Sequence, residues 1–259
     1  MTKFITVVSG KGGVGKTTTA INLGCALNYF GQDVTVVDAN LSMPNIGLYL
    51  GVPVVPINLH HVLKDKNDIT ESVYMHPAGT KIVPGSISLD DLRDIHPAKL
   101  NKVIRSLDGT SDFVIIDSAA GLGDEAISAI YSGDEILIVT NPELPAITDA
   151  LKTIKFCEAI NKKIMGVVLT KTKPKNFDVT VSNINSILET PIIGVVPDDS
   201  AMRRSLVMRD AVICTHPRSI AAVSYKKIAA DMIGQPYVPE LSPEKSSFLL
   251  KIFKLLGLR

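Results

Sequence analysis

The chain has almost no surplus of charge: 27 Lys plus Arg stand against 26 Asp plus Glu, a net of +1 over 259 residues. That excludes a global basic field able to hold nucleic acid without specificity, so any polyanion site must be a local patch. Cysteine is scarce. Cys25, Cys157 and Cys214 are odd in number, far apart in sequence and contain no CxxC pair. A disulfide framework or a zinc site is therefore not expected, a reducing cytoplasm suits the chain, and the three read as small buried apolar residues. Long apolar runs are missing too: none approaches the roughly 20 residues that a membrane-spanning helix needs, so membrane contact, if any, is expected to be peripheral. The first residues, MTKFITVVSGKGG, break into a glycine loop instead of a small-residue cleavage site, and no signal peptide is expected. Internal repeats and low-complexity segments are absent from the sequence. What is present is a hydrophobic content of 46%, 20% charged residues and a mean hydropathy of +0.24, which excludes a disordered chain. The length suits one large α/β domain with a substantial core.

Short β-branched runs alternate with longer helical stretches. Phe4–Val8, Val34–Val37, Lys81–Val83, Phe113–Ile116, Ile136–Thr140, Ile164–Leu169 and Pro191–Val196 read as strands, several of them apolar at nearly every position, as strands buried on both faces are. Lys16–Phe30, Asp124–Tyr131, Ile147–Ile160, Val179–Leu188 and Ser219–Ile233 read as helices. This alternation predicts a mostly parallel twisted sheet covered by helices on both faces, with ligands at the carboxyl ends of the strands. The division expected is a domain over 1–234, a proline-rich linker over 235–247 carrying Pro236, Pro239 and Pro243, and a helix over 248–259.

Gly10-Lys11-Gly12-Gly13-Val14-Gly15-Lys16-Thr17 follows the first strand and opens the first helix, matching GxxxxGK[ST]. Glycines let backbone N–H groups, continued by Thr17 and Thr18, turn around phosphates, and the helix aims its positive dipole end at them. Lys16 is expected on the β- and γ-phosphates and the Thr17 hydroxyl on Mg²⁺. Phe113–Asp117 is an apolar strand ending in an aspartate suited to a Mg²⁺-bound water, and Gly121 behind it is placed to donate its N–H to a γ-phosphate. No glutamate follows Asp117 directly.

The additional lysine, Lys11 in KGGVGKTT, resembles the deviant Walker A motif of the MinD/ParA ATPase family. The resemblance covers most of residues 1–233 and implies the three-layer P-loop NTPase fold, ATP and Mg²⁺ as cofactors, and a homodimer enclosing two ATP molecules. Within it Lys11 reaches the partner's phosphates as an arginine finger does. Asp38-Ala39-Asn40 resembles the family's first switch, Asp38 meeting a Mg²⁺-bound water. The position that orients the attacking water in relatives is here Asn40, an amide that holds water and cannot take its proton. Slow hydrolysis is expected; a natural asparagine and an aspartate replaced to trap nucleotide are both compatible with it. Gly166–Lys171 and Val196–Asp199 resemble the segments around adenine, which implies base contacts from Thr170, Lys171, Pro197, Asp198 and Asp199. Asn-Lys-x-Asp of the GTPase type is absent.

Placed on a helix at 100° per residue, Phe248, Leu249, Ile252, Phe253, Leu255 and Leu256 share one arc, opposite Lys251 and Lys254. An apolar face with aromatic anchors and lysine flanks suits an interfacial helix on anionic lipid, and it resembles the MinD membrane-targeting segment. A helix packed on its own domain is the competing reading. One copy of about three turns binds weakly; a dimer presents two. The expectation is thus an ATPase that dimerises on ATP, sits peripherally on the cytoplasmic face of the membrane, answers to a regulatory protein and positions division or other cell-surface machinery. The alternative is a ParA-like DNA-partitioning ATPase using Arg203, Arg204, Arg209 and Arg218. The tail disfavours it. Paired cysteines for an iron–sulfur carrier are missing, and His60-His61, without metal-ligand spacing, read as surface or helix residues.

Overall fold

A computed structural model describes residues 1–93, 95–173 and 181–239. Eight strands form one sheet: β1 (Lys3–Ser9), β2 (Val34–Asp38), β3 (Tyr74–Met75), β4 (Lys81–Val83), β5 (Phe113–Ala120), β6 (Glu135–Thr140), β7 (Lys163–Thr172) and β8 (Ile192–Pro197). Their order is β3-β4-β2-β5-β1-β6-β7-β8, and every described pairing is parallel except β3 with β4. The described helices are α1 (Lys16–Tyr29), α2 (Ile46–Tyr49), α3 (Leu59–Leu63), α4 (Leu89–Leu92), α5 (Leu100–Arg105), α6 (Asp124–Ser132), α7 (Leu144–Ala159), α8 (Val181–Leu188), α9 (Ser200–Val207), α10 (Val212–Thr215) and α11 (Ile220–Met232).

Strand alternation sorts the core. Ile5, Val7, Ile115, Leu137 and Val139 face one side, packed with α1, α10 and α11. Phe4, Val114 and Ile116 face the other, against α3 and α5, while Val8, Ile136 and Ile138 meet α7 and α8. Burial on both faces is why the central strands tolerate apolar residues at every position. The seven expected strands and the five helices expected ahead of the linker are present, with Val179 and Thr180 of the fourth outside the described residues. The antiparallel β3 is too short to leave a periodic signal, and the same holds for the short helices α2 to α5, α9 and α10. Helix α7 begins at Leu144 instead of Ile147, because Glu143 takes the N-cap and a proline fills the first turn.

One reading of the sequence changes. Cys25 and Cys157 are buried as expected, but Cys214 is exposed. His60, read as a surface or helix residue, is a helix residue of α3, and it is fully buried. Its Nε2 bonds Leu41 O (2.9 Å), and its Nδ1 accepts from Ser86 N (3.0 Å). This ring therefore ties the loop after β2 to the loop after β4, and it does so only as the neutral tautomer. Burial lowers its pKa below the ordinary 6.5, so the unfolded chain binds the proton first as pH falls. Its contribution to stability is full above 6.5 and is lost on descending toward the folded-state value. Urea denaturation at stepped pH is expected to show a loss of stability below 6.5 that His60→Asn reduces.

Gly234 ends the last helix with φ +68°. Tyr237 then sets its ring edge-on against Phe30, 5.6 Å between centroids. Phe30 follows the end of α1, so the linker leaves the domain about 21 Å from the helix start at the phosphate loop, for 14 residues at 1.5 Å each. The expected membrane helix and most of the linker fall in 240–259, outside the described residues.

Candidate nucleotide site

Residues 10–17 link β1 to α1 as predicted. Gly15 caps α1 with φ +96°, a conformation that L side chains rarely adopt, and so turns the chain into the helix at Lys16. Gly10 has a different reason to be glycine: a Cβ there would lie 2.3 Å from the Asp149 carbonyl oxygen of α7. The loop opens on a cavity of about 850 Å³. Gly12, Gly13, Gly15, Lys16, Thr17 and Thr18 form one side, Asn40 and Asn45 another, and Pro197, Asp198, Asp199 and Met202 a third.

The electrostatic centre lies at the ends of β2 and β5, where Asp38 and Asp117 stand side by side in register. Both are fully buried. Lys16 Nζ donates to Asp117 Oδ1 at 2.7 Å and to the Ser118 carbonyl. Asp38 Oδ2 accepts from Asn45 N and Ile46 N, each at 2.8 Å. The remaining oxygens, Asp38 Oδ1 and Asp117 Oδ2, are buried without a hydrogen-bond partner. Burial, then the charge of Asp117, pushes the Asp38 pKa up to about 7, against the pull of the two N–H groups and Lys16. Two orphaned hard oxygens beside a phosphate loop and the half-buried Thr17 fit an octahedral Mg²⁺ that keeps several of its waters. Bound there, the cation supplies charge stabilisation to the phosphates and favours an ionised Asp38.

Other predicted site residues are placed differently. The Gly121 N–H donates to Ser9 O at 2.8 Å, so contact with a γ-phosphate requires that bond to open. Asn40 Nδ2 donates to Met43 O at 2.6 Å, which leaves its carbonyl oxygen for water. Thr170 and Lys171 are engaged with the phosphate loop instead of standing free for a base. Thr170 Oγ1 contacts Val14 O and lies 3.1 Å from Thr140 O; Lys171 Nζ donates to Gly13 O at 2.6 Å. Both brace the loop from β7. Asp199 caps α9 through Ala201 N (2.8 Å) and also accepts from Ala221 N (3.2 Å), while Asp198 faces Lys173 at 3.8 Å and Arg203 at 4.0 Å. Thr170→Val removes the single hydroxyl proton that the Val14 and Thr140 carbonyls share, so nucleotide affinity is expected to fall ~10-fold, with Thr170→Ser restoring most of it. Titration of a fluorescent nucleotide checks this.

Several cavity residues carried no signal in the sequence. Ser9 contributes a buried hydroxyl without a partner. Glu125 of α6 holds the loop after β2 by accepting from Ser42 N (3.1 Å) and the Ser42 hydroxyl. Tyr225 of α11 reaches the cavity and bonds Thr19 Oγ1 at 3.1 Å. These positions are reached through tertiary packing and have no local pattern.

A P-loop with an extra lysine, followed by two buried aspartates at the ends of neighbouring parallel strands, has a counterpart among known proteins. The CobQ/CobB/MinD/ParA nucleotide binding domain matches residues 5–209. This chain belongs to the MinD/ParA family of ATPases. An uncharacterised ATP-binding protein of Methanocaldococcus jannaschii is 38% identical over 98% of this chain and 97% of its own length. The septum site-determining protein MinD of Pyrococcus horikoshii, solved in complex with Mg-ADP, is 35% identical and superposes with a TM-score of 0.86 over 90% of this chain and 96% of its own. The MinC:MinD cell division protein complex of Aquifex aeolicus contains a chain 25% identical, with a TM-score of 0.81 over 93% of this chain and 100% of its own. The chain therefore has the P-loop NTPase fold of a MinD-like ATPase, a family whose Pyrococcus member was solved with Mg-ADP.

Proposed function

We propose that this ATPase dimerises when it holds ATP, attaches peripherally to the cytoplasmic face of the membrane through Phe248, Leu249, Lys251, Ile252, Phe253, Lys254, Leu255 and Leu256, and positions division or other cell-surface machinery. One observation carries the reading. Lys11 lies in the phosphate loop, yet it is not part of the wall of its own chain's cavity. Its side chain is 44% exposed, and its Nζ lies 3.4 Å from Glu143, itself exposed. A lysine held in the loop and turned outward is available to the phosphates of a second copy. Tyr237 of the linker packs on Phe30, at the opposite end of α1 from the phosphate loop. The MinC:MinD assembly of the Aquifex aeolicus relative supports a regulatory protein as a further partner.

In this reading Lys16, Thr17, Asp38 and Asp117 hold the nucleotide and Mg²⁺, Lys11 acts in trans, and Asn40 makes hydrolysis slow by offering water an amide in place of a carboxylate. DNA is not the partner favoured: Arg204 is engaged with Ser200 Oγ (2.8 Å) and His216 (3.3 Å), and Arg203 with Asp198. Co-sedimentation with anionic vesicles tests the reading. The full chain is expected to pellet with ATP and not with ADP, and a chain ending at Lys245 with neither. Two tails on one dimer raise avidity ~10²–10⁴-fold over one. Pelleting that ignores the nucleotide removes the switch; no pelleting in either state removes the membrane.

A further inference from the structure

Cys25 and Cys214, separated by most of the chain, come together in the fold. Cys25 lies on α1 and Cys214 in α10, and the two thiols lie near enough for each to shift the other's ionisation. The helices that carry them are fixed to each other just above: Asn22 Oδ1 accepts from Val212 N at 2.8 Å and Ile213 N at 3.4 Å, capping the first turn of α10 from one turn along α1. Below, the Thr80 hydroxyl holds Cys25 Sγ at 3.6 Å. The pair is asymmetric. Cys25 is buried and Cys214 exposed. An outer thiol that meets solvent, with an inner thiol beside it on the helix that α10 packs against, is the arrangement of an attacking and a resolving cysteine.

We infer that Cys25 and Cys214 form an oxidation site, with Cys214 attacking a peroxide and Cys25 resolving the product to an intramolecular disulfide. The electrons balance in two steps. The Cys214 thiolate attacks one oxygen of hydrogen peroxide; the O–O bond breaks, and Cys214 sulfenic acid and hydroxide form. The Cys25 sulfur then attacks the sulfenic sulfur; the S–O bond breaks, hydroxide leaves and takes up the Cys25 proton as water, and the S–S bond forms. Peroxide is reduced by two electrons and the two thiols are oxidised by two. Contact with Cys25 lowers the Cys214 pKa, and contact with Cys214, then burial, raises that of Cys25, so the thiolate resides on the exposed partner. Cys157, a buried residue of α7 in the core shared with β7 and α8 and with its pKa pushed up to about 11, first by burial, stays a thiol and serves as the internal reference. In a reducing compartment such a pair is a transient sensor and not a structural crosslink. It does not depend on the function proposed above, since it needs neither nucleotide nor membrane.

The test treats the full chain with hydrogen peroxide and counts thiols after denaturation, alongside intact mass. Three titratable thiols are expected to fall to one, with a mass loss of about 2 Da that dithiothreitol reverses. Cys214→Ser is expected to keep both remaining thiols. Cys25→Ala, which leaves the exposed position intact, is expected to halt at a sulfenic acid that dimedone traps on Cys214. Three thiols surviving in the wild-type chain would overturn the inference. So would a mass gain at Cys214 with no loss of the Cys25 thiol.

Discussion

Lys11→Ala is expected to lower ATP turnover by ~10³-fold or more, the scale of losing an arginine finger, while the folded chain and its own nucleotide site survive. The structure separates these effects. Among the described residues the Lys11 ammonium meets Glu143, the two side chains being 44% and 57% exposed. Exposed pairs of that kind contribute about 0–1 kcal/mol, so thermal unfolding should barely move. Nucleotide affinity of the single chain should change little as well, because Lys11 is not among the residues lining the cavity. The loss should also be repairable in trans. Mixed with Asp117→Asn, whose own site is crippled but whose Lys11 is intact, the Lys11→Ala chain should regain activity that neither variant has alone. A loss that no mixing repairs would mean that Lys11 serves its own nucleotide.

Lys16→Met is expected to fail differently, in stability as well as in turnover. Its ammonium is the cation paired with Asp117 at 2.7 Å, beside Asp38, and both carboxylates are fully buried. Deleting one partner of a buried pair leaves a stranded charge and costs about 3–5 kcal/mol, less whatever protonation of a carboxylate recovers. Asp38, already raised by burial and by Asp117 and raised further once Lys16 is gone, takes that proton most readily, so the loss should grow as pH rises. Turnover should fall a further ~10²–10³-fold from the missing phosphate contact. The double variant Lys16→Met/Asp117→Asn distinguishes the two effects: urea denaturation should show most of the stability recovered, and the ATPase assay none of the activity. A single variant as stable as wild type would mean that water or a displaced side chain neutralises Asp117.

The legible parts of the molecule are those where one local pattern decides the outcome. The phosphate loop is written out as glycines and lysine, and the strands as β-branched runs buried on both faces. Asp38 and Asp117 could be chosen because each ends such a strand, and the register places them opposite one another. Illegible positions depend on segments brought together from far apart. Thr170 and Lys171 read as base contacts in the sequence, and their polar atoms bond the Val14 and Gly13 carbonyls, a contact across more than 150 residues of chain. His60 could not be distinguished from a surface histidine without knowing that Leu41 and Ser86 converge on it. Cys25 and Cys214 share no motif, and only the packing of α10 on α1 joins them. Tyr225 and Glu125 enter the site from helices whose sequences read as ordinary amphipathic segments.

The central claim is that ATP brings two copies together across the face bearing Lys11. The molar mass of the chain by sedimentation velocity, with Mg²⁺ and either a non-hydrolysable ATP analogue or ADP, tests it most directly. The account predicts a species of twice 27.8 kDa with the ATP analogue and one of 27.8 kDa with ADP. A mass of 27.8 kDa in both nucleotides, at concentrations where the analogue saturates the site, would contradict it.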